Sequence, residues 1–131
     1  MSLLKAGGGY ARLAAPKSVV PFVAARGSEI VFLPLAETET GGISLRNREA
    51  LLALAGRADM VVMGPGLSLA EETQGLVREL AAAIEKPLLI DGDGITAIAG
   101  RPEILRCRKG PTVLTPHPGE MARLLGCDIS Q

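Results

Sequence analysis

Short apolar runs alternate with longer segments of helical pattern along this chain, and this alternation limits the possible folds more than any other feature. The runs are continuous rather than alternating apolar and polar, which is typical of strands covered on both faces. Buried strands separated by helices form parallel sheets, so the sequence predicts an α/β fold with three layers, helix–sheet–helix, and a mostly parallel sheet. The five predicted strands are residues 10–14, 29–33, 60–63, 88–91 and 112–115.

The predicted helices carry recognisable start and stop signals. Ser68 and Glu71 have the spacing of a capping box with Ser68 as N-cap, and Pro87 marks the end of the helix that follows. The apolar face of that helix is formed by Leu76, Val77, Leu80 and Ile84. Further helices are predicted over residues 18–26, with Pro21 in the first turn and Gly27 beyond the end, over 45–55, over 95–99, and over 117–125, with Pro118 near the start and Gly126 at the stop.

Composition narrows the classes of protein further. Fourteen Lys and Arg against fourteen Asp and Glu give a formal net charge of zero, which argues against a basic nucleic-acid-binding protein. No stretch approaches the roughly 20 apolar residues of a membrane helix, so we expect a cytoplasmic protein without a membrane partner. Cys107 and Cys127 stand apart from each other and from any clustered His, so we expect two packing or surface thiols, without a zinc site.

Ligands of α/β proteins gather at the carboxyl ends of parallel strands, and three predicted strands end in unusual residues. The segment Gly64-Pro-Gly-Leu-Ser68 follows the third strand. Gly64 and Gly66 allow the backbone to approach a ligand closely, and the helix that follows offers free N–H groups to an anion. A strand-to-helix turn without a ligand is the alternative interpretation.

The fourth strand leads into Asp91-Gly-Asp-Gly94, which places two carboxylates at a strand end. Such carboxylates hold Mg²⁺ through water or take part in proton transfer. In the alternative interpretation Asp93 caps the next helix and Asp91 accepts hydrogen bonds from loop amides.

The fifth strand is followed by Thr115-Pro-His-Pro-Gly-Glu120, which contains the one histidine of the sequence. Prolines on both sides of His117 restrict the backbone, so we expect its side chain to point in one direction and to make polar contacts with a ligand. A purely structural histidine is the alternative.

These three segments, in this order and spacing, resemble the ADP/ATP-dependent NAD(P)H-hydrate dehydratase family of the ribokinase-like superfamily. The T-P-H-P-G-E segment is the most specific of them, and residues 6–16 are similar to the first strand unit of the family. The resemblance implies a lyase of metabolite repair, in which ADP or ATP phosphorylates the hydroxyl of hydrated NADH or NADPH and phosphate is then eliminated. It also implies Mg²⁺ as a cofactor.

Site residues follow from the resemblance at matching positions. Gly64, Gly66 and His117 would bind the hydrated cofactor, whereas Asp91, Asp93 and Glu120 would organise phosphate and metal without a direct metal ligand being assigned. His117 and Glu120 stand where sugar kinases have the Asn and Glu of an N-x-x-E motif, which favours the dehydratase over a sugar kinase.

Two departures from the family pattern lead to further expectations. Gly92 and Gly94 stand where the family has alanines, and Thr96 replaces an amide, so we expect a looser turn. The upstream glycine/alanine-rich substrate segment of the family is missing, and so are the downstream K-G-x-x-T and G-T-G-D motifs with the Asp expected to act as catalytic base. We therefore expect residues 1–131 to be the central part of one ribokinase-like domain truncated at both ends. Such a fragment is predicted to be inactive by itself and to self-associate as a homo-oligomer through exposed sheet edges.

Two other functions fit the same sequence. One is a kinase of the same superfamily that acts on a small vitamin-precursor alcohol, such as a hydroxymethylpyrimidine or a thiazole alcohol. The other is a non-catalytic nucleotide-binding or assembly module.

Overall fold

A computed structural model describes residues 2–26 and 29–128 of the chain. In these residues the strands are Ala11–Pro16 (β1), Ile30–Leu35 (β2), Val61–Met63 (β3), Leu88–Ile90 (β4) and Thr112–Leu114 (β5). The helices are Ser2–Lys5 (α1), Val20–Ala24 (α2), Arg48–Gly56 (α3), Glu71–Ala83 (α4), Asp93–Ile98 (α5), Pro102–Arg106 (α6) and Pro118–Leu125 (α7). A 3₁₀ turn, Leu45–Asn47, leads into α3.

The strands pair in parallel, as predicted. β1 pairs with β2, and β3, β4 and β5 form a second sheet in that order, with Met63 opposite Ile90 and Ile90 opposite Leu114. An antiparallel bridge between Glu37 and Ile43 closes the polar loop after β2. The α/β class and the positions of all five predicted strands are therefore confirmed, with ends that differ by one or two residues.

The apolar core lies between one face of the sheets and the helices. One cluster joins β2 to α3 and α4; the other packs α4, α5, α6 and α7 against the second sheet. The largest fully buried apolar side chains of the core come from one strand, β4, and two helices, α4 and α5: Leu76, Leu88, Ile90, Ile95 and Ile98. Each short strand contributes one or two side chains to this core. The helices that pack against these side chains hold the strand ends in place.

The opposite face of the second sheet is open in the described chain. Val62 and Val113 are 60% and 51% exposed, whereas Val61, Met63 and Leu114 pack into the core. Within the described residues, the prediction that every strand is covered on both faces is therefore wrong for β3 and β5, and for β2, where Val31 is 44% exposed. Side chains alternate between the faces of a strand, and a run of three apolar residues hides that alternation from the sequence.

The start of α4 corrects another prediction. The helix begins at Glu71 with Ala70 as N-cap, so Ser68 is not its cap. Ser68 instead has a φ of +90°, its hydroxyl oxygen accepts a hydrogen bond from the Ala70 N–H at 3.2 Å, and Glu71 pairs with Arg78. The predicted apolar face is confirmed, since Leu76, Val77 and Leu80 are buried in the helix and Ile84 is buried directly after it.

The other predicted helices are present with shifted ends. α2 includes Pro21 in its first turn, and the predicted stop at Gly27 lies outside the described residues. α5 begins at Asp93, two residues earlier than predicted. Helix α6 was missed, although Pro102 at its start, with Glu103 in the first turn, is a recognisable signal.

Candidate functional site at the carboxyl ends of the strands

The parallel order of β3, β4 and β5 brings the three singled-out segments to one edge of the sheet. Because Met63, Ile90 and Leu114 are in register, the next residues of each chain segment, Gly64 and Asp91 among them, leave the sheet side by side. The pairing continues one step beyond the strands, since the Asp91 N–H donates to the Met63 carbonyl at 3.1 Å. The predicted site residues of the first two segments thus lie on neighbouring loops.

Backbone contact locks the first two loops together. Gly64 is buried with a φ of +132°, and a Cβ atom there would overlap the carbonyl oxygen of Asp91. A Cβ atom on Gly94 would lie 2.9 Å from the Cα atom of Gly64. Where a looser turn was expected from Gly92 and Gly94, the missing Cβ of Gly94 lets the two loops pack closely.

Gly66 has the opposite surroundings. It is exposed, its φ is +69°, and a Cβ atom there would meet no atom within 4 Å in the described chain. The turn requires a residue that tolerates the left-handed region, while the space over Gly66 is open. Its backbone is therefore accessible from outside the protein, as the prediction of a ligand contact requires.

The two carboxylates of the second loop have different partners. Asp91 Oδ1 accepts a hydrogen bond from the N–H of its neighbour Gly92 at 2.9 Å. Asp93 Oδ2 reaches across to the first loop and accepts from the Ser68 N–H at 3.0 Å. The alternative interpretation is confirmed for Asp91, which accepts from a loop amide, and is wrong for Asp93, because Gly92 is the N-cap of α5.

His117 is the N-cap of α7, and Glu120 completes a capping box with it. The ring Nδ1 accepts the Gly119 N–H at 3.1 Å, and Glu120 Oε2 accepts the His117 N–H at 2.9 Å. The His117 side chain is 61% exposed, whereas Glu120 is buried. The helix starts at Pro118 and stops at a left-handed Gly126, as predicted.

This capping box was missed in the sequence, because histidine is not among the usual N-cap residues. The signal was present in the spacing, since Glu120 stands three residues after His117 and Pro118 occupies the first helical position. His117 therefore has a structural role in addition to any contact with a ligand.

Helices α5 and α7 are joined at the same edge. Arg123 Nη1 donates to the hydroxyl oxygen of Thr96 at 2.8 Å, so the threonine that replaces the amide of the family pattern connects the second and third segments. The three loops are thus linked in a chain of contacts that runs from Ser68 through Asp93 to α7.

The carboxylates at this edge do not form a complete metal site. The described residues contain no group of three or more His, Cys, Asp or Glu side chains placed to hold a metal ion. Asp91, Asp93 and Glu120 each already accept a backbone N–H. Mg²⁺ therefore does not fit a site built from these side chains alone.

A cavity away from the predicted residues was not foreseen. It has a volume of about 480 Å³ and lies between the polar loop after β2 and the start of α4. On its wall Glu72 accepts hydrogen bonds from the Leu45 N–H and the Ser44 hydroxyl, both at 2.8 Å. These contacts, together with the charge of Arg46, lower the pKa of Glu72. The Glu72 carboxylate, which faces this cavity, therefore holds the loop that carries Ser44 and Leu45 through these hydrogen bonds.

The structure also describes the helix lengths and the two cysteines that the sequence analysis considered. No helix among residues 2–26 and 29–128 is long and apolar enough to span a membrane. Cys107 is an exposed free thiol and Cys127 a partly buried one.

The parallel strands with glycine-containing turns at their carboxyl ends define an α/β protein. The structure is similar to that of a ribokinase-like superfamily protein from Enterococcus faecalis, with a TM-score of 0.75 and 23% identity, over 99% of this chain and 43% of that one. The sequence model of the NAD(P)H-hydrate dehydratase family matches residues 5–131, and the chain belongs to this family.

Curated relatives support the same assignment. The chain is 52% identical over 130 residues to the bifunctional NAD(P)H-hydrate repair enzyme Nnr of Thermofilum pendens, a match that covers 99% of this chain and 25% of the relative. It is 42% identical over 123 residues to the enzyme of the same name from Moorella thermoacetica, over 94% of this chain and 23% of that protein. The chain therefore spans about a quarter of the length of these relatives.

Proposed function

We propose that this chain forms the part of an ADP- or ATP-dependent NAD(P)H-hydrate dehydratase that binds hydrated NADH or NADPH. The observation that carries the proposal is the placement of the three family segments on neighbouring loops and helices at one edge of the sheet. Two of these loops are in direct backbone contact, and Arg123 links the third segment to them through Thr96.

Gly64, Gly66 and His117 are the proposed binding residues. The open space over Gly66 leaves room for the substrate against the backbone, and buried Gly64 makes the turn that presents it. The exposed ring of His117, fixed by its contact with Gly119, offers a polar group of defined direction. A pre-formed edge of this kind binds a ligand without first ordering the side chains that contact it.

The reaction removes water from the hydrate in two steps. The hydroxyl oxygen of the hydrate forms a bond to the terminal phosphorus of ADP or ATP, the bond to the bridging oxygen of the nucleotide breaks, and the hydroxyl proton passes to a base. Phosphate then leaves with the electrons of the C–O bond, and loss of a proton from the adjacent carbon restores the double bond. The contribution of this chain is to hold the hydrate with its hydroxyl positioned for the transfer.

Asp91, Asp93 and Glu120 are proposed to organise the phosphate end of the site by holding its loops. Mg²⁺ is expected from the family resemblance, because phosphoryl transfer needs neutralised phosphate charge. The described carboxylates offer it no complete set of ligands, so no step is assigned to the metal here. Nucleotide binding is proposed on the same resemblance. A cytoplasmic location is proposed from the apolar pattern of the sequence, and a homo-oligomeric state is proposed because exposed sheet edges offer unpaired backbone groups to another copy of the chain.

Binding and turnover test the proposal separately. Calorimetric titration of the 131-residue chain with hydrated NADH, hydrated NADPH and intact NADH should show binding of the hydrates. Titration with a hydroxymethylpyrimidine and a thiazole alcohol covers the kinase alternative. Turnover is followed as recovery of reduced-nicotinamide absorbance from hydrated NADH with ADP or ATP, in a protein that carries these residues and the G-T-G-D motif. Binding of an alcohol without binding of any hydrate would refute the assignment.

A further inference from the structure

Ser68 has a backbone conformation that its side chain disfavours. Its φ is +90°, and among the described residues it is the one non-glycine residue with a positive φ. The region is sparsely populated because Cβ crowds the backbone there, and residues persist in it when surrounding contacts hold them. Ser68 ends the Gly64–Ser68 loop, so whatever holds Ser68 also determines the shape of the turn that presents Gly66.

A carboxylate from another element supplies that contact. Asp93 Oδ2 accepts the Ser68 N–H at 3.0 Å, across 25 residues of sequence. Hydrogen bonds to an ionised acceptor are about twice as strong as neutral ones. The remaining contact of Ser68, from the Ala70 N–H to its hydroxyl oxygen at 3.2 Å, is local and connects the loop to α4 rather than to the sheet edge.

Asp93 is itself firmly anchored. It is the first residue of α5, whose next two residues, Gly94 and Ile95, are buried. Gly94 packs against Gly64, and Asp93 accepts the Ser68 N–H. The loop that carries Asp93 therefore contacts the Gly64–Ser68 turn at both of its ends. A short connection between two fixed points leaves the turn little freedom.

We propose that Asp93 is a positioning residue that holds Ser68 in its left-handed conformation and thereby fixes the Gly66 turn against the hydrated nicotinamide cofactor. The inference rests on the proposed function for its ligand, and on the structure alone for the contact. Asp91 is different, since its carboxylate accepts from its own neighbour and does not reach the Gly64–Ser68 loop.

The contact is tested first without a ligand. Amide hydrogen exchange of Ser68 is measured by NMR in the 131-residue chain, in Asp93→Ala and Asp93→Asn, and in Asp91→Asn as the matched control. We expect the Ser68 amide to exchange about tenfold faster in Asp93→Ala, less so in Asp93→Asn, and unchanged in Asp91→Asn. Asp93→Asn keeps the size of the side chain and so gives an answer even where Asp93→Ala does not fold.

The consequence for the ligand is tested with Ser68→Gly. Glycine adopts a positive φ without strain, so in this background the loop depends less on Asp93. We expect Asp93→Ala to weaken binding of hydrated NADH about tenfold in the parent chain and less than about threefold in the Ser68→Gly background. The inference would be overturned if Asp93→Ala weakened binding of hydrated NADH equally in both backgrounds. It would also be overturned if the exchange rate of the Ser68 amide were unchanged in both Asp93 variants. If the parent chain binds no hydrate, the proposed function fails, and the amide exchange still decides whether Asp93 holds Ser68.

Discussion

His117 and Glu120 form a reciprocal cap at the start of α7, in which each residue holds the other. Glu120 accepts the His117 N–H through Oε2, and its Oε1 lies 3.3 Å from His117 Nε2. The ring Nδ1 accepts the Gly119 N–H at 3.1 Å. The capping contacts therefore fix the direction of the ring.

Two substitutions separate the capping role of His117 from its proposed contact with substrate. Asparagine is a good N-cap, so His117→Asn should leave the free energy of unfolding nearly unchanged, whereas His117→Ala should lower it by about 1 kcal/mol. Both should weaken binding of hydrated NADH, since both remove the imidazole. Urea denaturation and calorimetric titration measure the two effects. If His117→Asn binds hydrated NADH as well as the parent does, His117 acts only as the N-cap of α7.

The glycines of the first loop should respond differently to alanine. Gly64→Ala places a Cβ on the Asp91 carbonyl oxygen, so we expect a loss of several kcal/mol in stability, or no folded protein. Gly66→Ala meets open space and should cost about 1 kcal/mol for its positive φ, with a larger effect on binding. Gly100→Ala is the control, because Gly100 has a similar φ of +71° and no atom near its Cβ position. Equal stabilities of Gly64→Ala and Gly66→Ala would contradict the packing described here.

Arg108 should be important for stability although its hydrogen bonds go to residues outside the candidate site. Its guanidinium donates to the carbonyl oxygens of Ala81 and Ile84 at 2.6 Å each, and of Lys86 at 2.9 Å. Arg108→Lys cannot make this set of contacts, and we expect it to lower the free energy of unfolding by about 2 kcal/mol.

The neighbouring Lys109 provides the comparison for this variant. It pairs with Glu85 on the surface, and Lys109→Ala should change stability by less than about 1 kcal/mol. Chemical denaturation measures the free energy of unfolding of both variants. Similar losses in Arg108→Lys and Lys109→Ala would show that the carbonyl contacts of Arg108 contribute little.

Glu72 should give the protein an acid-sensitive contact. Hydrogen bonds from Leu45 and Ser44 lower its pKa from the ordinary value of 4.5 in the folded chain. A lowered pKa means that the ionised carboxylate stabilises the fold above the unfolded-state pKa, and that this stabilisation is lost as the pH falls through the folded-state pKa. Glu72→Gln should therefore be less stable than the parent at neutral pH, and the difference should vanish in acid.

Urea denaturation across this pH range measures the effect, with Glu39→Gln as an exposed control from the loop nearby. A difference between Glu72→Gln and the parent that stays constant into acid would show that ionisation of Glu72 is not involved.

Local patterns in the sequence were sufficient for much of the fold. The apolar runs predicted all five strands because short continuous apolar runs bounded by turn residues are typical of buried strands. Pro118 and Gly126 predicted the ends of α7 for a similar reason, since caps involve residues within one turn of the helix. The order of the three segments predicted that Gly66, Asp91 and His117 lie at one edge of the sheet, because parallel strands end on the same side.

Only the tertiary structure decided which groups at that edge contact one another. Ser68 has the sequence context of an N-cap, yet its N–H is taken by Asp93, 25 residues away, and the helix starts later. The close packing of Gly94 on Gly64 and the open outer face of Val62 likewise depend on which elements lie alongside. Helix propensities and caps depend on neighbouring residues in the chain. The contacts at this edge depend instead on competition among distant groups for the same hydrogen bonds and the same space. That competition exists only once the chain has folded.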